Sequence, residues 1–388
     1  MSHNVKARKK VLIVYPFFMH YRQPVIEELI ANGKHLYFFA GDLKAKNNAI
    51  EACQISDASR YIRVKSYYLG SMLLQPGLLM LLLKKKFDCV ILLGNATWPF
   101  TWLAACLSRL MGKRTLFWTH GWLKKEQGLV ALIRNTLYGL SHGLLLYGHT
   151  AKRIGVSSGF PPDSLYVVYN ALDYDRQNQI LSEITTKQID QVKSLFDRPD
   201  QPIVVCCSRL TPQRRLDLLL EAIVQLRKDG YAVNVLLIGD GPERERLEAN
   251  AKENHLPVHF FGACYDESRL AAMTKAAAVT VAPGKVGLTA IQSLTFETPV
   301  ITHGNPDTQM PEFESVIPGV NGDYFEENNV SDLARVIKKW TSNVEKRNGK
   351  QISKIVEERY TPTIQRVLFD GAVSGTKAAE LPFQDEPC

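Results

Sequence analysis

No C-x-x-C pair occurs in the 388 residues, and the seven cysteines are scattered and odd in number. That excludes a zinc knuckle, a dithiol redox motif and a disulfide scaffold, and it points to a reducing compartment. The sequence has no Walker loop and no G-x-G-x-x-G fingerprint. RNP, zinc-finger and Arg/Gly-rich signatures are also missing, so no nucleic-acid partner is expected. The basic N-terminus, Met1 to Lys10, is followed by an apolar run of only four residues, Val11 to Val14, and by no small-residue cleavage site. It does not read as a secretory signal. One stretch, Cys89 to Ser108, holds 20 residues without a charge, but Gly94-Asn95 and Pro99 interrupt it. It reads as a buried strand, a loop and a helix, and no membrane span is expected.

Acidic residues are scarce in one half. Residues 1–175 carry 22 Lys+Arg against 10 Asp+Glu, a balance of +12, which leaves 25 against 29, or −4, for the rest. A basic first half suits an anionic partner for that half alone. An anionic membrane surface fits best. The largely apolar Met72 to Leu83, followed at once by Lys84-Lys85-Lys86, has the composition of an interfacial anchor. It reads equally as a core-facing helix with a solvated basic end. The expected location is the cytoplasm, peripheral on the membrane face.

What is present is an alternation of strands and helices, the pattern of a parallel sheet covered on both faces. Strands are expected at Val11–Tyr15, His35–Phe39, Asp88–Leu93, Thr115–Trp118, Leu144–Tyr147 and Tyr166–Val168. Polar, helix-prone residues 173–201 then reset the pattern. Further strands are expected at Ile203–Cys207, Val233–Ile238, His259–Phe261, Val279–Ala282 and Val300–Thr302. Two α/β units follow from this. The tail from Gly371 is small and polar, and residues 373–388 are expected to be disordered.

Ligands of open parallel sheets bind beyond the carboxyl ends of the strands. After Ile203–Cys207 come Arg209 and Arg214, whose planar, permanently charged groups suit a diphosphate, although basic loop residues also occur on plain surfaces. After Val233–Ile238 comes Gly239-Asp240-Gly241-Pro242, either a ligand approach or a simple turn. Gly284, Lys285, Val286, Gly287, Leu288 and Thr289 precede an apolar helix, whose free N–H groups would face an anion. In the first half, His120 lies between Trp118 and Trp122 past a strand end, and His20-Tyr21-Arg22 follows the first strand. These side chains would bind an acceptor, or serve as core and cap.

Arg209-Leu210-x-x-x-Arg214, Ile238-Gly239-Asp240-Gly241-Pro242-Glu243 and Pro283-Gly284 to Thr289 occur in that order, followed by Phe296-Glu297-Thr298-Pro299, Pro311-Glu312 and Gly319-Val320-Asn321-Gly322. Together with Asn170-Ala171-Leu172-Asp173 they resemble the GT-B glycosyltransferases of family 4 (glycosyl transferases group 1), most strongly over residues 165–325. The resemblance implies an α/β chain of two Rossmann-like doubly wound domains facing across a cleft. Residues 1–170 would bind the acceptor, 171–201 would be a linker and helix, and 202–358 would bind a nucleotide sugar. A helix at about 360–372 would cross back onto the first domain.

By the same resemblance, Arg209 and Arg214 grip the diphosphate with the amides of Val286 to Thr289, and Asp240, Gly241, Gly262 and Ala263 line the nucleoside. Gln292 stands where the family has a ribose-binding glutamate, and His120 sits beside the reacting carbon; by their strand-end positions, His20, Tyr21, Arg22 and Trp122 would meet the acceptor. The implied reaction moves a sugar from a nucleoside diphosphate to a lipid-linked or polysaccharide acceptor in cell-surface glycan synthesis. It is retaining and metal-independent, with the nucleotide sugar as co-substrate and no cofactor. The family's paired glutamates, E-x7-E, are here Gly284 and Gln292. That departure supports an alternative, a catalytically degenerate protein that binds nucleotide or glycan as a partner subunit. A sugar-nucleotide epimerase is a third reading, for which the chain lacks a buried acid/base set. Asp173-Tyr174-Asp175 spells D-x-D, but at the linker, so no metal is expected.

Overall fold

A computed structural model describes residues 8–43, 52–342, 344 and 347–386. The chain divides into two compact units, one running to Asp173 and joined by Thr361–Glu386, the other Tyr174–Tyr360.

The first unit contains β1 (Lys10–Phe17), β2 (Leu36–Asp42), β3 (Tyr61–Arg63), β4 (Tyr67–Leu69), β5 (Met72–Leu74), β6 (Cys89–Leu93), β7 (Arg114–Thr119), β8 (Gly143–Leu146) and β9 (Leu165–Val167). Seven of these form one sheet in the order β3-β2-β1-β6-β7-β8-β9, parallel throughout. The short hairpin β4–β5 stands apart. Val11, Leu12 and Ile13 are fully buried, as a strand covered on both faces requires. Helices Pro76–Lys84, Pro99–Leu110, Gly128–Gly139 and His149–Ser157 cover one face, where Leu82, Ala105, Leu137 and Ala151 share a core cluster with Leu12, Val90 and Phe117.

The other face receives helix Pro362–Ser374. Phe369 meets Trp118 edge-on at 4.9 Å between ring centres. Asp370, 1% exposed, accepts from Tyr37 Oη (2.9 Å) and Lys34 N (3.1 Å).

The second unit contains β10 (Ile203–Cys207), β11 (Asn234–Ile238), β12 (Val258–Gly262), β13 (Val279–Ala282), β14 (Val300–His303) and β15 (Gly322–Phe325). They pair in the order β12-β11-β10-β13-β14-β15, again all parallel.

Several expectations need correction. Residues 373–386 are ordered, because Gln384 treats the sheet edge as a missing strand would. Its Oε1 accepts from Val167 N and its Nε2 donates to Val167 O, both at 2.9 Å. Residues 387–388 lie outside the described residues. The expected linker holds two helices, Tyr174–Glu183 and Thr186–Lys193, within the second unit; a Thr185–Gln188 capping box starts the second of them. β3, the hairpin and β15 are three or four residues long and gave no alternation signal. The Met72–Lys86 segment is not one element. Met72–Leu74 is a hairpin strand, and helix Pro76–Lys84 buries Leu78, Leu81 and Leu82 while Met80 and Leu83 stay exposed. Among the described residues, no helix is long and apolar enough to cross a membrane.

Candidate functional site

Strand order reverses between β10 and β13 in the second unit and between β1 and β6 in the first. Crevices open beyond the carboxyl ends of strands at such points, so the loops after β10 and β13 must approach each other. They do. The loop after β10 is tied to the one after β11, Ser208 N donating to Ile238 O (2.9 Å) and Leu210 N to Asp240 O (3.0 Å). A 3-10 turn, Pro212–Arg214, follows, with Arg215 in left-handed backbone at φ 49°. This turn carries Arg214 to the loop after β13. Its Nη1 donates to Lys285 O, and Gly284 N donates back to Arg214 O (3.1 Å).

Arg214, Ser208, Lys285, Val286, Gly287 and Thr289 line one narrow recess. Thr289 Oγ1 donates to Cys207 O (3.2 Å), fixing the start of helix Leu288–Thr295 against the end of β10. The amides of Gly287, Leu288 and Thr289 open the helix and find no acceptor among the described residues. No carboxylate lines the recess. A recess bordered by Arg214, Lys285 and a positive helix end suits an anion.

The support behind the recess is Gln309, which is 3% exposed. Its Oε1 accepts from Val286 N (2.9 Å), and its Nε2 donates to Gly284 O (3.2 Å), Thr302 Oγ1 (2.8 Å) and His303 O (3.2 Å). One side chain thus holds the backbone of residues 284–286. Sequence reading missed Gln309, since a glutamine in a loop carries no local signal.

The tight approach also accounts for Gly284. A Cβ there would lie 2.2 Å from Gln213 O and 2.9 Å from Arg214 C. No side chain, glutamate included, fits without displacing the turn that positions Arg214. Gln292 is one turn into the same helix and half-buried, on the face of Leu288 and Thr289. Asp240, Gly241, Gly262 and Ala263 stand at the adjacent ends of β11 and β12, joined by Gly239 N donating to Gly262 O (2.8 Å). Asp240 and Ala263 are exposed. Gly241 sits 2.3 Å, measured from its would-be Cβ, from Leu210 O, so loop packing alone demands a glycine there. Arg209 is exposed and does not line the recess.

In the first unit, His20–Arg22 is a 3-10 turn after β1. Arg22 is only 5% exposed. Its guanidinium lies 4.5 Å from the Trp118 ring centre and donates to Asn170 Oδ1 (2.8 Å) and Tyr147 Oη (2.6 Å). This corrects its expected role. Arg22 is a strut tying β1 to the ends of β8 and β9, and it leaves His20, which is exposed, and Tyr21, which is half-buried, as the accessible residues of the turn. Trp122 is also corrected. It is 2% exposed, donates to Asn135 Oδ1 (2.9 Å) and packs on Tyr138 and Phe160, so it belongs to the core. His120 follows β7 and is exposed, with its ring 4.7 Å from that of Tyr147. Burial among its neighbours, with the Arg22 cation beside it, pushes its pKa down to about 4, so it is a neutral imidazole at pH 7. Tyr15, hydrogen-bonded to Tyr147 (3.2 Å), is held well above the ordinary tyrosine range by burial and by Tyr147. Among the described residues, no three His, Cys, Asp or Glu side chains are grouped to hold a metal.

Residues 187–353 match the family described as Glycosyl transferases group 1. A GDP-mannose-dependent alpha-(1-6)-phosphatidylinositol dimannoside mannosyltransferase of Mycobacterium tuberculosis is 32% identical over 114 residues, covering 29% of each chain. A 2-deoxystreptamine glucosyltransferase of Streptomyces kanamyceticus is 25% identical over 161 residues, 40% of each. The chain thus spans well under half the length of these curated relatives. Among solved structures, a glycosyltransferase from Rickettsia africae superposes with a TM-score of 0.73 at 14% identity, over 95% of this chain and 99% of that one. The lipopolysaccharide outer core galactosyltransferase WaaB superposes at 0.69 and 15%, over 94% and 99%. Anabaena Alr3699/HepE in complex with UDP does so at 0.68 and 15%, over 94% and 99%. The fold is GT-B.

Proposed function

We propose, for a chain whose residues 187–353 match the glycosyl transferases group 1 family, that it moves a sugar from a nucleoside diphosphate to a lipid-linked or polysaccharide acceptor. One observation carries this: Arg214, Lys285 and the start of helix Leu288–Thr295 border one recess that no carboxylate lines. Charge on the leaving diphosphate would develop there. Donors fixed before the reaction stabilise it without reorganisation, and losing one costs about 3–4 kcal/mol in comparable oxyanion sites. A permanently charged guanidinium and helix amides meet that need without a metal. Asp240, Gly241, Gly262, Ala263 and Gln292 would take the nucleoside. His20, Tyr21 and His120 would meet the acceptor, and His120, being neutral, would accept a hydrogen bond from it. The match of residues 187–353 to that family supports retention at the anomeric carbon. The phosphatidylinositol dimannoside in the name of one relative and the basic first half support an acceptor met at an anionic membrane surface.

Arg214→Ala is expected to cut turnover a hundredfold or more in an assay of free nucleotide released from a panel of nucleotide sugars. Arg209→Ala, altering a side chain outside the recess, is expected to cut it less. Near-normal turnover in Arg214→Ala would reject the assigned diphosphate site. Gly284, which leaves no carboxylate where the family has one, favours a second reading as a nucleotide-binding partner subunit. Saturable nucleotide binding by the wild type with no turnover of any donor would establish it.

A further inference from the structure

The exposed apolar residues of the first unit fall mainly on one layer. The four helices that share a core cluster against one sheet face turn their opposite sides outward. There Leu83 is 57% exposed, Leu110 87%, Leu129 69%, Val130 60%, Leu132 62% and Ile133 41%. Four of these six lie in the first half of helix Gly128–Gly139, at positions i, i+1, i+3 and i+4 of one face. That helix buries only Leu137 and Tyr138. Helices this short depend on packing for stability in water, and here the apolar side needing cover faces out.

The charge of the same region is one-sided. Residues 61–160 contain 13 Lys+Arg and only 2 Asp+Glu. Of those two, Glu126 is held by Arg134 at 2.6 and 2.8 Å, and the Asp88 carboxylate accepts from Lys10 N (2.7 Å). Exposed Lys124 and Lys125 precede the apolar helix, and exposed Lys84 to Lys86 follow Leu83. A protein partner with an apolar face would not need this sign; an anionic lipid surface would.

We infer that this helical layer is the membrane-docking face of the protein, with Leu129, Val130, Leu132 and Ile133 entering the headgroup region of an anionic bilayer and the flanking lysines pairing with lipid phosphates. Apolar residues on one side of a helix, with basic residues beside them, are the composition of an element lying in the interface plane. The inference rests on the membrane-side acceptor proposed above. It moves the principal anchor from the Met72–Lys86 segment, whose helix buries Leu78, Leu81 and Leu82, to helix Gly128–Gly139. It is independent of the donor chemistry.

The test is flotation of the full chain with vesicles of phosphatidylcholine and phosphatidylglycerol, against phosphatidylcholine alone. Wild type is expected to float with the anionic vesicles only, and high salt is expected to release most of it. The double variant Leu129→Glu, Leu132→Glu alters exposed residues and should keep the wild-type melting temperature. Its bound fraction is expected to fall tenfold or more, and Lys124→Glu with Lys125→Glu to fall similarly. Flotation of the leucine variant at the wild-type level would overturn the inference. So would equal binding of wild type to neutral vesicles, or a wild-type dimer that the leucine variant dissociates, since the face would then join two copies of this chain. Nucleotide binding measured on the same samples reports separately on the transferase reading.

Discussion

His120 shows how a residue's chemistry is set by what surrounds it. In an unfolded chain its imidazole takes a proton near pH 6.5; in the fold, burial and then the Arg22 cation bring this down to about 4. The unfolded state therefore binds more protons between those values, and stability falls as pH drops through that window. A ¹H–¹³C NMR titration of His120 is expected to show no protonation midpoint near 6.5, and His120→Gln to flatten the acid loss of stability between pH 6.5 and 4. A midpoint at the ordinary value would mean that neither desolvation nor the Arg22 cation acts on the ring. Residue types past strand ends were readable in the sequence: the arginines after β10, the glycines, the lone histidine. Accessibility was not. Arg22 and Trp122 look like surface binders in sequence and are core parts, because a buried guanidinium needs aromatic faces and hydrogen-bond acceptors from β7, β8 and the end of β9, which are far away in the chain.

Elements were legible wherever the apolar run was long enough to be buried on both faces. β1, β6, β7, β10, β11 and β13 read as strands within one or two residues. The short edge strands, β3 and β15, have no such run, and their pairing depends on neighbours. Loops were least legible. The backbone of residues 284–286 is held by Gln309 from a different loop, which no local pattern announces. Gln309→Leu should leave Val286 N and Gly284 O buried without their partner, at a cost of about 1–3 kcal/mol per group. Urea unfolding of the second unit should report a loss of that size, with weaker nucleotide binding as the loop slackens. Unchanged stability would mean that other groups hold this loop.

At the scale of the molecule, the chain returns to its first unit after completing its second. Leu368, Phe369, Ala372 and Val373 are fully buried, and Gln365 Nε2 donates to the carbonyls of Val168 (3.1 Å) and Tyr169 (2.6 Å). Deleting residues 361–386 should therefore unfold the unit that begins the chain and spare Tyr174–Tyr360. Hydrogen exchange is expected to lose protection in β1, β6 and β7 while β10, β11 and β13 keep theirs. Retained protection in β1 would show that the C-terminal helix is dispensable.

Composition and pattern alone determined that two parallel α/β sheets form, which loops lie beyond their strand ends, and that the first half is basic, since burial on two faces and charge count are written residue by residue. Only the tertiary structure decided which arginine reaches the recess beside the loop after β13, why residue 284 has no side chain, and where the exposed leucines gather. Each of these depends on distances between segments separated in the chain by tens of residues, and such distances exist only once the sheets have closed.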